Sequence, residues 1–139
     1  MNWYLENIAK NILKEVVIPD LRGASAEEAQ EALRKEGLNY EAEGNGNRVI
    51  DISPKPGYSV KEGTKINIYL GEGSDYNKDV VVPDLRGYSK QSALELLNKL
   101  NLQGNFSGEG MVSKQSINPN EFVKRGTSID IILKYEIGD

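Results

Sequence analysis

Val16–Gly23 reads "VVIPDLRG" and Val80–Gly87 reads "VVVPDLRG", identical except for Ile18 against Val82. Such a pair is either a site used twice or the opening of a folding unit used twice, and the flanking residues decide between the two. At the same spacing, Pro19, Gly23, Ser25, Ala29, Leu33 and Leu38 meet Pro83, Gly87, Ser89, Ala93, Leu97 and Leu102, and Gly44 and Gly46 meet Gly108 and Gly110. One residue is then lost. Ser53, Pro56, Val60, Gly63 and Thr64 meet Ser116, Pro119, Val123, Gly126 and Thr127, and Ile66, Ile68 and Leu70 meet Ile129, Ile131 and Leu133. The matches are mostly apolar or turn residues spread over the whole length, the signature of a duplicated fold rather than of a short motif.

Each copy reads in the same order. A short extended segment ends at Pro19, which lacks an N–H and suits a strand end or edge. Ser25 is an N-cap, with Glu28 three residues on to complete a capping box. Ala29, Ala32 and Leu33 then share one helical face, and Gly37 follows as a residue with access to the left-handed region. In the second copy Ser89 caps, Ala93, Leu96, Leu97 and Leu100 form the face, and Asn101 stands where the first has Gly37. Next come two candidate strands around "GNGN", Gly44–Asn47, and then a turn. Last is an alternating strand with Ile66, Ile68 and Leu70 inward, repeated as Ile129, Ile131 and Leu133. The expected class is α+β: two tandem units, each one helix packed on a three-stranded β-sheet with a short extended opening segment.

Composition bounds the function. The 139 residues carry 38% hydrophobic residues, a formal net charge of −4, and no Cys or His. Thiol nucleophiles, histidine bases, disulfides and most transition-metal sites are thereby excluded. Residues 16–74 hold 7 Lys/Arg against 10 Asp/Glu, and residues 80–139 hold 7 of each. Neither half offers the clustered basic face that nucleic acid requires. No apolar run approaches the roughly 20 residues that span a bilayer, and no signal peptide is visible. Residues 74–79 are polar and without periodicity. They read as a linker, either flexible or short enough to let the units touch.

Residues 1–15 stand outside the repeat. Leu5, Ile8, Ala9, Ile12 and Leu13 follow amphipathic helical spacing. This leading helix either packs on the first unit or ends a preceding domain, and its few lysines make membrane-surface binding the weakest reading.

Twice, then, the chain shows V-x-V/I-P-D-L-x-G, S-x-x-x-A, a Ser-containing Pro turn, and V-K-x-G-T before an alternating strand. This resembles the PASTA module, over residues 16–73 and 80–139. The second copy departs at Ile117, where a Pro is common, and at Asn120 in place of Gly57. The resemblance implies a fold of one helix on three strands and no cofactor. It also implies an extracytoplasmic location at the cell surface, anchored through a part of the parent protein outside this chain. Implied partners are peptidoglycan or muropeptides, the parent's own transpeptidase domain, or division and sporulation proteins. Two copies after "YLENIAKNILKE" are similar to the end of a class B, sporulation-type penicillin-binding protein; a PASTA serine/threonine kinase is the alternative parent.

The chain itself reads as non-catalytic. Its serines sit at caps and turns, and neither S-x-x-K nor K-T-G is present. Glu27/Glu28 and Glu41/Glu43 are solvated faces, and the G-x-G pairs are hairpin turns without a following helix. A shallow wall-binding site would use Arg for carboxylates and aromatic faces for sugars. The candidates are Arg22 and Arg86 after the repeated turn, Tyr58 and Phe122 before V-K, and Arg48, Glu62 and Arg125 on other turns. For each, an ordinary surface or packing role competes. Glu62 against Arg125 implies that the two units need not bind the same ligand.

Overall fold

Ser25 and Ser89 start the two helices in the computed structural model, which describes residues 14–72 and 78–135. The leading helix expected over residues 1–15 falls outside the described residues up to residue 13, and most of the linker does too. The first unit runs β1 (Glu15–Val17), α1 (Ala26–Lys35), β2 (Asn39–Glu43), β3 (Arg48–Ser53), β4 (Ser59–Lys61) and β5 (Lys65–Gly71). The second runs β6 (Asp79–Val81), α2 (Lys90–Lys99), β7 (Gln103–Gly108), β8 (Met111–Gln115), β9 (Phe122–Lys124) and β10 (Ser128–Lys134).

Both helices start where the caps predict. In α1 the capping box is complete: the Glu28 N–H donates to the Ser25 hydroxyl oxygen, and the Ser25 N–H donates to the Glu28 carboxylate. In α2 the Ser92 N–H donates to the Ser89 hydroxyl oxygen, with no acid to complete the reciprocal bond. Both helices stop on left-handed residues, Gly37 at φ 78° and Asn101 at φ 57°. Asn tolerates this region because its short amide bonds locally, which is why it can replace Gly there.

Each sheet is three-stranded with the alternating strand at its centre, in the orders β2-β5-β3 and β7-β10-β8. The central strand runs parallel to the strand after the helix and antiparallel to the next. Ile66 and Ile68 enter the first core with Ala29, Leu33, Val49 and Ile52; Ile129, Ile131 and Leu133 enter the second with Ala93, Leu97 and Leu100. The two-layer α+β unit therefore stands as expected. The opening segment adds to it: β1 pairs antiparallel with the short β4, and β6 with β9, as two-stranded ribbons beside the sheets. The "SVK" and "FVK" stretches were expected only as parts of turns. Three residues are too few for periodicity to show a strand; the ribbon exists because the opening segment lies alongside.

The capping difference carries a consequence. Ser25→Ala removes the acceptor of the Glu28 N–H and should cost about 1 kcal/mol, while Glu28→Ala, which removes only the exposed reciprocal bond that α2 does without, should cost less. Urea denaturation of the two variants measures this, and equal costs would contradict the secondary role of Glu28.

Candidate functional site between the repeats

The turn after β1 bends at Pro19 and turns Asp20 and Arg22 away from solvent, both side chains at 0% exposure. Arg22 Nε donates to Asp20 Oδ1 at 2.8 Å. The other carboxylate oxygen is taken by the second unit. Arg125 Nε donates to Asp20 Oδ2 at 2.8 Å, and Asn101 Nδ2 donates to it at 3.2 Å. Arg125 Nη2 also donates to the Arg22 carbonyl at 3.0 Å, and the Asp20 N–H donates to the Lys99 carbonyl at 2.9 Å. One carboxylate thus joins two guanidiniums and one amide across the repeat boundary.

Other contacts surround it. Lys99 Nζ reaches Glu36 Oε1 at 2.7 Å. The Tyr58 and Phe122 rings meet edge to face, centroids 6.3 Å apart at 80°. Val17 packs against the second core although its neighbours Val16 and Ile18 belong to the first, so alternate residues of β1 serve two cores. The Val81 N–H donates to the Pro56 carbonyl at 2.8 Å.

Burial alone pushes the Asp20 carboxyl up. The hydrogen bond and charge of Arg22, the Asn101 amide and the charge of Arg125 outweigh it and hold the group below its ordinary carboxylate value. The cost appears on Arg22: among the described residues, its buried Nη1 and Nη2 have no hydrogen-bond partner. Buried donors left in this state are expensive.

Of the residues expected to bind a ligand, the structure brings together Arg22 with Arg125, and Tyr58 with Phe122. Arg22 lies out of solvent's reach. Arg86, its counterpart, forms a bidentate pair with Asp84 whose side chains are 64% and 47% exposed. Arg48 lies apart, its Nη1 donating to the Gly23 carbonyl at 2.8 Å. Glu62 accepts from the Lys14 N–H at 3.4 Å, and Phe122 is 53% exposed. Asp20 and Asn101 were missed as members of any site. Asp20 stands inside the repeated octet, and its spacing of two from Arg22 was the available signal. Asn101 was read only as a helix end, a role it also fills.

Clefts among the described residues line this boundary, each with residues of both units. One of 550 Å³ lies beside Pro19, Leu21, Ala32, Asn98 and Asn101. One of 420 Å³ lies between β1 and α2, with Glu15, Gly37, Glu62, Tyr88, Glu95 and Lys99 among its walls. One of 380 Å³ lies between Glu15, Val17 and Ser59 on one side and Arg86, Tyr88 and Asn120 on the other.

Comparison with known proteins places the chain. The PASTA domain pattern matches residues 16–72 and again residues 80–134. Stage V sporulation protein D of Bacillus subtilis is 37% identical over 62 residues, 45% of this chain and 9% of that protein. A probable serine/threonine-protein kinase of Clostridium acetobutylicum is 26% identical over 131 residues, 84% of this chain and 20% of that protein. The chain therefore spans a fifth or less of the curated relatives it matches. Among solved structures, penicillin-binding protein 2X from Streptococcus thermophilus is similar over 94% of this chain and 18% of that one, with a TM-score of 0.42 and 22% identity. The entire extra-cellular region of the Ser/Thr kinase PrkC from Staphylococcus aureus is similar over 87% of this chain and 47% of that one, with a TM-score of 0.34 and 21% identity.

The network makes stability predictions with a definite sign. Asp20→Asn removes the only anion bonded to Arg22 among the described residues and should cost about 3 kcal/mol, the size expected when one partner of a buried ion pair is removed. Arg22→Met should cost less, because Asp20 keeps Arg125 and Asn101 while two orphaned donors disappear. Equal costs in equilibrium denaturation would contradict the assignment. Because the folded carboxyl is lowered, its stabilisation is complete above the unfolded value of about 3.9 and is lost as pH falls through the lower folded value. The stability gap between the natural chain and Asp20→Asn should therefore hold from neutral pH to about pH 5 and shrink below about pH 4.

Proposed function

We propose that this chain, which belongs to the PASTA domain family, is a cell-wall module that binds peptidoglycan fragments for a larger parent protein. PASTA domains are non-catalytic modules, and two of them make up nearly all of the described residues. The observation that carries the reading is this double match together with relatives that are a sporulation protein and a kinase. On this reading the module works outside the membrane, where the wall is the available ligand.

The clefts between the units support binding at the boundary. They combine carboxylates, an exposed guanidinium and the Tyr88 ring, groups suited to the amides, carboxylates and hydroxyls of muropeptides. Arg86 rather than Arg22 is the member of the repeated pair that a solute reaches. The parent on this reading is a penicillin-binding protein of the sporulation type, with the pair holding the transpeptidase against newly made wall. A second reading, the extracellular sensor of a serine/threonine kinase, is favoured by the kinase relative's wider match, 84% of the chain against 45%.

Titration of the isotope-labelled pair with purified muropeptide tests wall binding. Chemical-shift changes at residues lining the boundary clefts are expected at millimolar ligand or below. Silence in both this titration and calorimetry would leave a docking role without wall binding, in which deletion of the pair alters localisation of the parent alone.

A further inference from the structure

The boundary between the units is built in two related halves. In one half, the turn at Pro56–Gly57 of the first unit presses on β6. In the other, the equivalent turn at Pro119–Asn120 of the second unit faces β1 across the 380 Å³ cleft. The same elements meet in both directions, as at a two-fold interface. The two halves nevertheless differ. Val81, Pro56 and Gly57 are buried, whereas Val17 and Pro119 are half-buried and Asn120 is exposed. The Val81 N–H is bonded to Pro56, but no backbone bond joins Val17 to Pro119.

Three residue changes account for the difference. Gly57 lies so close to β6 that a Cβ built on it would run into the Val81 carbonyl. Its counterpart Asn120 has a Cβ, at φ 73°, and cannot approach β1 in that way. Arg125, which closes on Asp20, is matched by Glu62, which cannot close on Asp84. Asn101, which donates to Asp20, is matched by Gly37, which has no side chain to donate. One half is therefore sealed, and the other is held open with its Asp84–Arg86 pair exposed.

The open half also presents backbone. In the β1–β4 ribbon the bonds at residues 14 and 18 mean that Val16 faces β4. By the alternation of an antiparallel pair, the N–H and C=O groups of Glu15 and Val17 point away from it. Glu15 and Val17 line both the 380 Å³ and the 420 Å³ clefts, so this strand edge, unpaired among the described residues, borders open space. Arg86 uses Nε and Nη2 on Asp84, and within the described residues its Nη1 makes no hydrogen bond.

We infer that the open half is a peptide site: a short extended peptide adds as a strand to Glu15–Val17 and places its terminal carboxylate on Arg86. Strand addition draws its affinity from main-chain bonds, and a guanidinium is the side chain that matches a carboxylate fork. A cleft of 380 Å³ lies at the small end of the range for ligand sites, about 300–1,000 Å³, and takes a few residues rather than a folded partner. Tyr88 and the Pro83 and Pro119 rings supply the apolar wall. The exposed Asp84–Arg86 pair is screened by water and reorients at little cost. The inference shares this cleft and Arg86 with the wall-binding reading but needs no sugar.

The test uses N-acetyl-Ala-Val-Ala with a free carboxylate, its C-terminal amide, and the isotope-labelled chain. The free acid should shift the backbone amides of Val17, Ser59, Arg86, Tyr88 and Asn120, with a dissociation constant on the order of 1 mM. The amidated peptide should bind about tenfold more weakly, and Arg86→Gln should remove that difference while leaving thermal stability nearly unchanged. Asn120→Gly, which lets the turn approach β1, should weaken both peptides by narrowing the cleft. Shifts confined to other residues, equal affinity for acid and amide, or silence at about ten times the expected constant would each overturn the site. Failure here removes the peptide site, while muropeptide binding at the boundary is decided by its own titration.

Discussion

The Asp20 carboxylate is the constraint on which the arrangement of the two units depends. Its side chain is fully buried and must be answered by positive or donating groups, and among the described residues its own unit supplies only Arg22. The remaining oxygen is satisfied by Arg125 and Asn101 of the second unit, so the first unit's turn is electrostatically complete only when the second is in place. The Asp20 N–H bond to Lys99 and the entry of Val17 into the second core point the same way. Small units of this size bury a modest share of their surface alone. Sharing a strand and a carboxylate gives the pair contacts that neither unit has by itself.

Duplication alone would have produced two equal halves at this boundary. The equivalence is broken at Gly57/Asn120, Arg125/Glu62 and Asn101/Gly37, and each change acts on the same side. The ribbons keep the repeat: the Glu15–Lys61 pair has its counterpart in Asp79–Lys124, and both ribbons have the same register. Divergence has therefore left each unit's fold intact and fallen on how the two meet. A nearly identical octet has consequently acquired two fates, one sealed as structure and one left open to solvent.

Much of the fold was legible in single short windows. Ser25 and Glu28 specify a helix start because the two bonds close within four residues. Gly37 and Asn101 specify its end because few residues tolerate a positive φ. Ile66, Ile68 and Leu70 specify a half-buried strand because alternation reports which face is covered. The ribbon strands β4 and β9 were not legible, since three residues carry no period. The site was less legible still. Arg22 and Arg86 sit in identical local sequence, and nothing within that window distinguishes the buried guanidinium from the exposed one.

The sequence by itself determined that this chain is a duplicated α+β unit, with its caps, left-handed helix ends and alternating core strands. Those features arise from interactions within a few residues, or from a solvent-facing pattern each unit satisfies alone. Only the tertiary structure decided which copy of Asp-Leu-Arg is buried, that Arg125 closes on Asp20 from 105 residues away, and that Asn120 props open the opposite half. The physical reason is that burial of a charge is a property of the whole surface that covers it. The residues that cover Asp20 come together only after both units have folded and met.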